Sequence, residues 1–102
     1  MKLWLDDVRE PPIGWIWVKS YEGAIYYLTK NSVWYISLDH DLGENKKTGY
    51  DLACWIEEKV HLNIIKKPIM LCHSQNPVGK RRILQVIEKL ENLDVTYEDR
   101  RR

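Results

Sequence analysis

Ile36-Ser37-Leu38-Asp39-His40-Asp41-Leu42-Gly43 is the stretch on which the reading of this chain turns. An apolar run of strand type, Val33 to Leu38, delivers three consecutive ionisable side chains and then a glycine. Strand interiors seldom carry such a cluster, because a desolvated carboxylate needs a partner or a cation. The favourable place for it is the carboxyl end of a buried strand, where open α/β sheets put their sites. The plain alternative is a polar loop in which Asp39 and Asp41 only bond backbone amides. A second acidic pair, Asp6-Asp7, ends the short apolar strand Lys2-Leu3-Trp4-Leu5 and weakens that alternative.

Outward from these two strands, the chain alternates. Residues 8–14 carry Pro11-Pro12 and Gly14 and read as a loop. Trp15-Ile16-Trp17-Val18 has the bulk and branching of a second strand. Ser20 is placed to cap a helix over Ser20–Lys30, with Tyr21, Ala24, Ile25 and Leu28 on one face. Thr48-Gly49-Tyr50-Asp51 has the form of a capping box and opens a helix burying Leu52, Trp55, Ile56 and Val60. Pro68 precedes a strand, Ile69-Met70-Leu71-Cys72. Asn76-Pro77 then caps and starts a helix with Ile83, Val86, Ile87 and Leu90 inward. Val95-Thr96-Tyr97 reads as a fifth strand, and Arg100-Arg101-Arg102 as a basic tail. Strands alternating with helices predict an α/β fold with a mostly parallel sheet of about five strands.

With 102 residues, residues 1–102 form one domain with a single core, and 44% hydrophobic against 30% charged composition excludes a disordered chain. A net charge of +1 leaves no global field for nucleic acid or a membrane, so any affinity for phosphate must be local. No apolar run reaches spanning length and no signal-peptide pattern follows Met1-Lys2, so a cytoplasmic protein without a membrane partner is expected. Cys54 and Cys72 fit reduced, packed thiols better than a bridge.

In a parallel sheet the strand ends carrying Asp6-Asp7, Asp39-His40-Asp41 and His73-Ser74 lie side by side. Carboxylates from neighbouring strand ends surround a hard divalent cation, which takes oxygen ligands and shares its shell with a phosphate. Asp6, Asp7 and Asp39 are the candidate ligands, with Asp41 further out, and Mg²⁺ or Mn²⁺ is the expected ion. His40 and His73 match general acid and base work near neutral pH. The segment His73-Ser74-Gln75-Asn76-Pro77-Val78-Gly79-Lys80-Arg81 runs into a capped helix, whose N-terminus attracts anions. Ser74, Asn76, Gly79, Lys80 and Arg81 are therefore the candidate phosphate-binding residues.

Leu5-Asp6-Asp7, Ser37-Leu38-Asp39 and Thr48-Gly49-Tyr50-Asp51-Leu52 together resemble a response-regulator receiver domain. More closely, Leu5-Asp6-Asp7-Val8-Arg9-Glu10-Pro11-Pro12, Ser37 to Gly43, Thr48 to Asp51 and His73 to Gly79 resemble the receiver-derived cyclic-phosphate-processing domains. The resemblance implies a flavodoxin-like sheet, a metal held by Asp6 and Asp7, and a reactive aspartate at Asp39. It implies that His73 or Ser74 stands where receivers carry the hydroxyl residue after strand four. Two departures are visible. No lysine follows the fifth strand, which disfavours phosphorylation-driven switching, and His40, Asp41 and His73 are additional.

The segment between Asp7 and Trp15 is too short for a crossover helix, and nothing after Tyr97 makes a final one. If the receiver strand order holds, right-handed crossovers place the three helices on one face. The other face carries Trp4, Trp15, Trp17, Trp34 and Tyr35, and is expected to meet a second copy or a partner protein, since parallel sheets are seldom open on one side. The leading function is a metal-dependent phosphoesterase, a hydrolase acting at Asp39, His40 and His73 on the cyclic phosphate of a nucleotide, another phosphate-bearing small molecule or an RNA end. The alternatives are a phosphoacceptor and a pseudo-receiver interaction module without turnover.

Overall fold

The computed structural model describes the backbone of residues 1–101 and the side chains of residues 1–92. The elements run β1 (Lys2–Leu5), β2 (Ile16–Val18), α1 (Tyr21–Lys30), β3 (Tyr35–Leu38), α2 (Gly49–His61), β4 (Ile69–Cys72) and α3 (Pro77–Arg101). All neighbouring strands are parallel, in the order β2-β1-β3-β4. β2 and β3 start slightly inside the apolar runs that announce them, at Ile16 and Tyr35.

The steps from β2 to β3 and from β3 to β4 cross the sheet in one direction, so right-handed connections put α1 and α2 on the same face. α3 joins that layer by packing against α2 and β4. Between the layers lie Leu3, Leu5, Ile36, Leu38, Leu52, Ile56, Ile83 and Leu90, all fully buried. This core is the main apolar stabilisation of the fold.

The sheet has four strands, and the fifth expected over Val95–Tyr97 is a correction. α3 runs through those positions, because no glycine or proline after Gly79 stops it. The side chains of Val95–Tyr97 lie outside the described ones. Among the described residues no helix is long and apolar enough to cross a membrane.

As expected, no crossover helix joins β1 to β2, and two tryptophans do part of its work. The register places Trp4 beside Trp17 on the helix-free face. The Trp4 indole N–H donates to the Arg9 carbonyl at 2.9 Å, and that of Trp17 to the Asp6 carbonyl at 2.7 Å. Trp15 meets Trp4 and Tyr35 edge-on at 6.0 and 6.3 Å, and the Lys2 ammonium sits over Trp15 and Tyr35. The β4 edge of that face stays open, with Ile69 and Leu71 52% and 44% exposed.

Helix α2 is seated directly on the end of β3. Thr48 accepts from the Asp51 N–H and its own N–H donates to the Asp51 carboxylate, which completes the capping box. The Gly49 N–H donates to the His40 carbonyl at 2.9 Å, and a Cβ at Gly49 would overlap the Asp39 carbonyl oxygen. Gly49→Ala is therefore expected to push α2 off the strand end and to cost about 1–3 kcal/mol, the usual range for overpacking. Urea denaturation checks this, and an unchanged midpoint would show that the contact is not tight.

Candidate metal and phosphate site

Asp6 and Asp39 each prolong a ladder by one residue. The Asp6 N–H donates to the Val18 carbonyl at 3.0 Å and the Asp39 N–H to the Leu5 carbonyl at 2.9 Å. Their side chains therefore leave adjacent strands at the same level. One carboxylate oxygen from each of Asp6, Asp7 and Asp39 lies within 4.8 Å of the others. Three hard oxygen donors at this spacing fit a divalent cation of the magnesium type.

Asp6 is the buried member, 3% exposed. One oxygen, Oδ1, accepts from the N–H groups of Val8 and Arg9 at 2.9 and 2.7 Å, and Oδ2 lies 3.1 Å from His73 Nε2. Burial alone would raise this carboxyl, but the Arg9 and Val8 amides and His73 outweigh it and hold the pKa below the usual carboxylate value. Asp39 moves the other way. Burial, and then the Asp6 charge, push its carboxyl up, against the opposing His40 N–H, His73 and the Ser74 hydroxyl. Crowded negative charge is the electrostatic signature of this corner.

The acidic corner opens into a cleft of about 560 Å³ lined by Asp6, Asp7, Val8, Arg9, Asp39, Asp41, Gly43 and Glu44. Gly43 turns the loop after β3 with φ +117, a conformation that favours glycine. Comparison with models of known families matches residues 1–89 to the cyclic-phosphate processing receiver domain. The chain belongs to that family. Comparison with curated proteins and with solved structures gave no match.

In this receiver domain the sequence-derived candidates separate into two groups. Asp6, Asp7 and Asp39 come together as a cluster, and Ser74 is buried beside Asp39 with its hydroxyl on that carboxylate. Asp41 lines the cleft but is not part of the cluster. Its oxygens take His40 Nδ1 at 3.0 Å and the Asn76 amide at 3.2 Å, and these bonds hold its pKa down. The two histidines do not line the cleft. The His40 ring lies against Gly79 of α3, where a Cβ would collide with it. His73 lies on the helix-free side, flat on Trp4 with ring centres 3.7 Å apart.

Asn76, Gly79, Lys80 and Arg81, expected to bind phosphate, are not among the residues that line the acidic cleft. The Asn76 side-chain oxygen Oδ1 caps α3 by accepting from the Val78 and Gly79 N–H groups, so the Gly79 amide is already used. Lys80 and Arg81 line a separate groove with Pro77 and Leu84. The basic residue on the cleft wall is Arg9, which sequence reasoning passed over; its backbone N–H is on Asp6, and its guanidinium donates to the His73 carbonyl at 3.4 Å. Its signal was the spacing Asp6-x-x-Arg9, in which the carboxylate folds the loop back onto its own amides.

Two outcomes follow from the charges. His73 has its pKa lowered by burial, against the opposing Asp6 contacts. The stability its neutral form contributes is complete above the unfolded value of 6.5 and is lost as pH falls through the lower folded value. Stability in urea, followed from pH 7 downward, should thus fall more steeply in wild type than in His73→Gln. For Asp39 the folded pKa is raised, so its charge costs stability at neutral pH, and the advantage of neutralising it vanishes near pH 4 and below. In EDTA at pH 7, Asp39→Asn should melt higher than wild type, and at pH 4 the difference should close.

Proposed function

We propose that this receiver domain is a divalent-metal-dependent phosphoesterase that opens a cyclic phosphate, on a nucleotide or an RNA end. The observation that carries the reading is the meeting of the Asp6, Asp7 and Asp39 carboxylates in a single cleft at the strand ends, with Arg9 on its wall. Family membership supports the substrate class.

Asp6, Asp7 and Asp39 would hold Mg²⁺ or Mn²⁺. When bound, the cation supplies Lewis-acid stabilisation of phosphoryl charge and a nucleophile at neutral pH. The chain's own groups do the rest. The Arg9 guanidinium, one nitrogen of which donates to the His73 carbonyl at 3.4 Å, would offer its other donors to phosphate oxygens. The His40 N–H, 2.9 Å from Asp39 Oδ1, and the Ser74 hydroxyl keep the Asp39 carboxylate oriented. His40 lies beside the cleft rather than in its lining; Asp41 engages its Nδ1, so any proton exchange by this ring would be through Nε2. His73 has both nitrogens engaged and is the weaker candidate for that task. Hydrolysis adds water to phosphorus and breaks one ester P–O bond, and the leaving oxygen takes the proton.

The test is release of phosphomonoester from 2′,3′-cyclic nucleotides, cyclic-phosphate RNA ends and cyclic dinucleotides, with Mg²⁺ or Mn²⁺. Asp39→Asn should abolish turnover, and Arg9→Ala should lower kcat/KM by about 10²-fold, as for loss of one charge-stabilising donor. Saturating Mg²⁺ should raise the wild-type Tm by on the order of 10 °C through mass action and leave Asp39→Asn unmoved. No turnover on any substrate, with Asp39 labelled by acetyl phosphate, would instead establish a phosphoacceptor.

A further inference from the structure

Ser37 lies in the middle of β3 between Ile36 and Leu38, is 3% exposed, and faces the helix-free side opposite Trp4 and Leu71. A hydroxyl in that apolar position has lost its water and requires a partner. The partner is His73 Nδ1, 2.7 Å from Ser37 Oγ. The same ring is stacked on Trp4 with 9° between the planes, and its Nε2 reaches Asp6 Oδ2 at 3.1 Å. A continuous line therefore runs from the helix-free face of the sheet to the acidic corner.

The direction of that line follows from the donor inventory. An ionised Asp6 only accepts, so Nε2 of His73 carries the hydrogen. In the neutral ring Nδ1 is then the acceptor, and the Ser37 hydroxyl donates to it. Ser37 selects the tautomer, Trp4 sets the plane, and His73 holds Oδ2 while the Val8 and Arg9 amides hold Oδ1. The residue types are those of a hydrolytic triad, but the polarity is reversed. Here the carboxylate lines the cleft and the serine is sealed inside the sheet.

We propose that Ser37, His73 and Trp4 are positioning residues that fix the Asp6 carboxylate as a metal ligand from the far side of the sheet. This rests on the metal reading of the Asp6-Asp7-Asp39 cluster. Groups that hydrogen-bond a ligating side chain are commonly worth 10- to 100-fold in metal affinity, so about that range is the effect expected here.

The experiment titrates Mn²⁺ alone into wild type, Ser37→Ala, Ser37→Thr and His73→Phe, and reads free Mn²⁺ by electron paramagnetic resonance. It also reads the His73 tautomer by ¹⁵N NMR in the metal-free wild type and Ser37→Ala proteins. His73→Phe keeps a ring on Trp4 and removes both hydrogen bonds, so a role in packing alone would not move its affinity. The expected result is an Nε2–H ring in wild type and a mixture of tautomers in Ser37→Ala. Affinity should fall about 10-fold in Ser37→Ala and up to about 100-fold in His73→Phe, with recovery in Ser37→Thr. Wild-type affinity in Ser37→Ala and His73→Phe, or an Nδ1–H ring in wild type, would overturn the proposal alone. A wild type that binds no Mn²⁺ would overturn the metal reading, and this proposal with it.

Discussion

A carboxylate that is 3% exposed at the end of a buried strand must be solvated by the protein, and the surroundings of Asp6 are built to do so. Two backbone amides turn back to it from the following loop and one imidazole reaches it from β4's end. Each of these donors needs its own support. The loop is held by the Trp4 and Trp17 indoles, which donate to its Arg9 and Asp6 carbonyls. The imidazole is held by Ser37 and by the face of Trp4. A desolvated charge is costly enough that these secondary arrangements become part of the fold rather than decoration on it.

This accounts for Trp4, Trp15 and Trp17, three of the five tryptophans in the chain. A receiver-like sheet without a helix between β1 and β2 exposes one face and leaves the site loop between these strands unsupported. Large amphipathic rings address both problems, because an indole covers apolar sheet surface and carries an N–H at its edge. Trp4 does this three times over, against Trp15, against His73 and toward the Arg9 carbonyl. The aromatic face and the acidic cleft, which look like separate features in the sequence, are one structure.

Close backbone approach is the second organising device. Gly49 lets the first turn of α2 touch the Asp39 carbonyl, and Gly79 lets α3 accept the His40 ring. Helix starts are thereby set against the residues that follow β3, so helix packing and site geometry move together. The same packing engages the first amides of α3 within the chain. The Asn76 side-chain oxygen accepts from the Val78 and Gly79 amides, and its Nδ2 donates to Asp41.

The sequence by itself determined the strand and helix order, the parallel sheet, the capping boxes and caps at Thr48 and Asn76, and the meeting of Asp6, Asp7 and Asp39. These follow from local periodicity, turn chemistry and the rule that parallel strand ends align, which need no distant contacts. The end of α3 was misread because β-branched Val95 and Thr96 suggest a strand, while the absence of any helix stop is the stronger determinant. Only the tertiary structure decided which side of the sheet each site residue takes. His73 and Ser74 are neighbours in sequence, yet one lies on Trp4 and the other beside Asp39, because successive residues leaving a strand point to opposite faces. Arg9 reaches the cleft wall by a loop fold that rests on Asp6, Trp4 and Trp17 together, of which the spacing Asp6-x-x-Arg9 is only the local part.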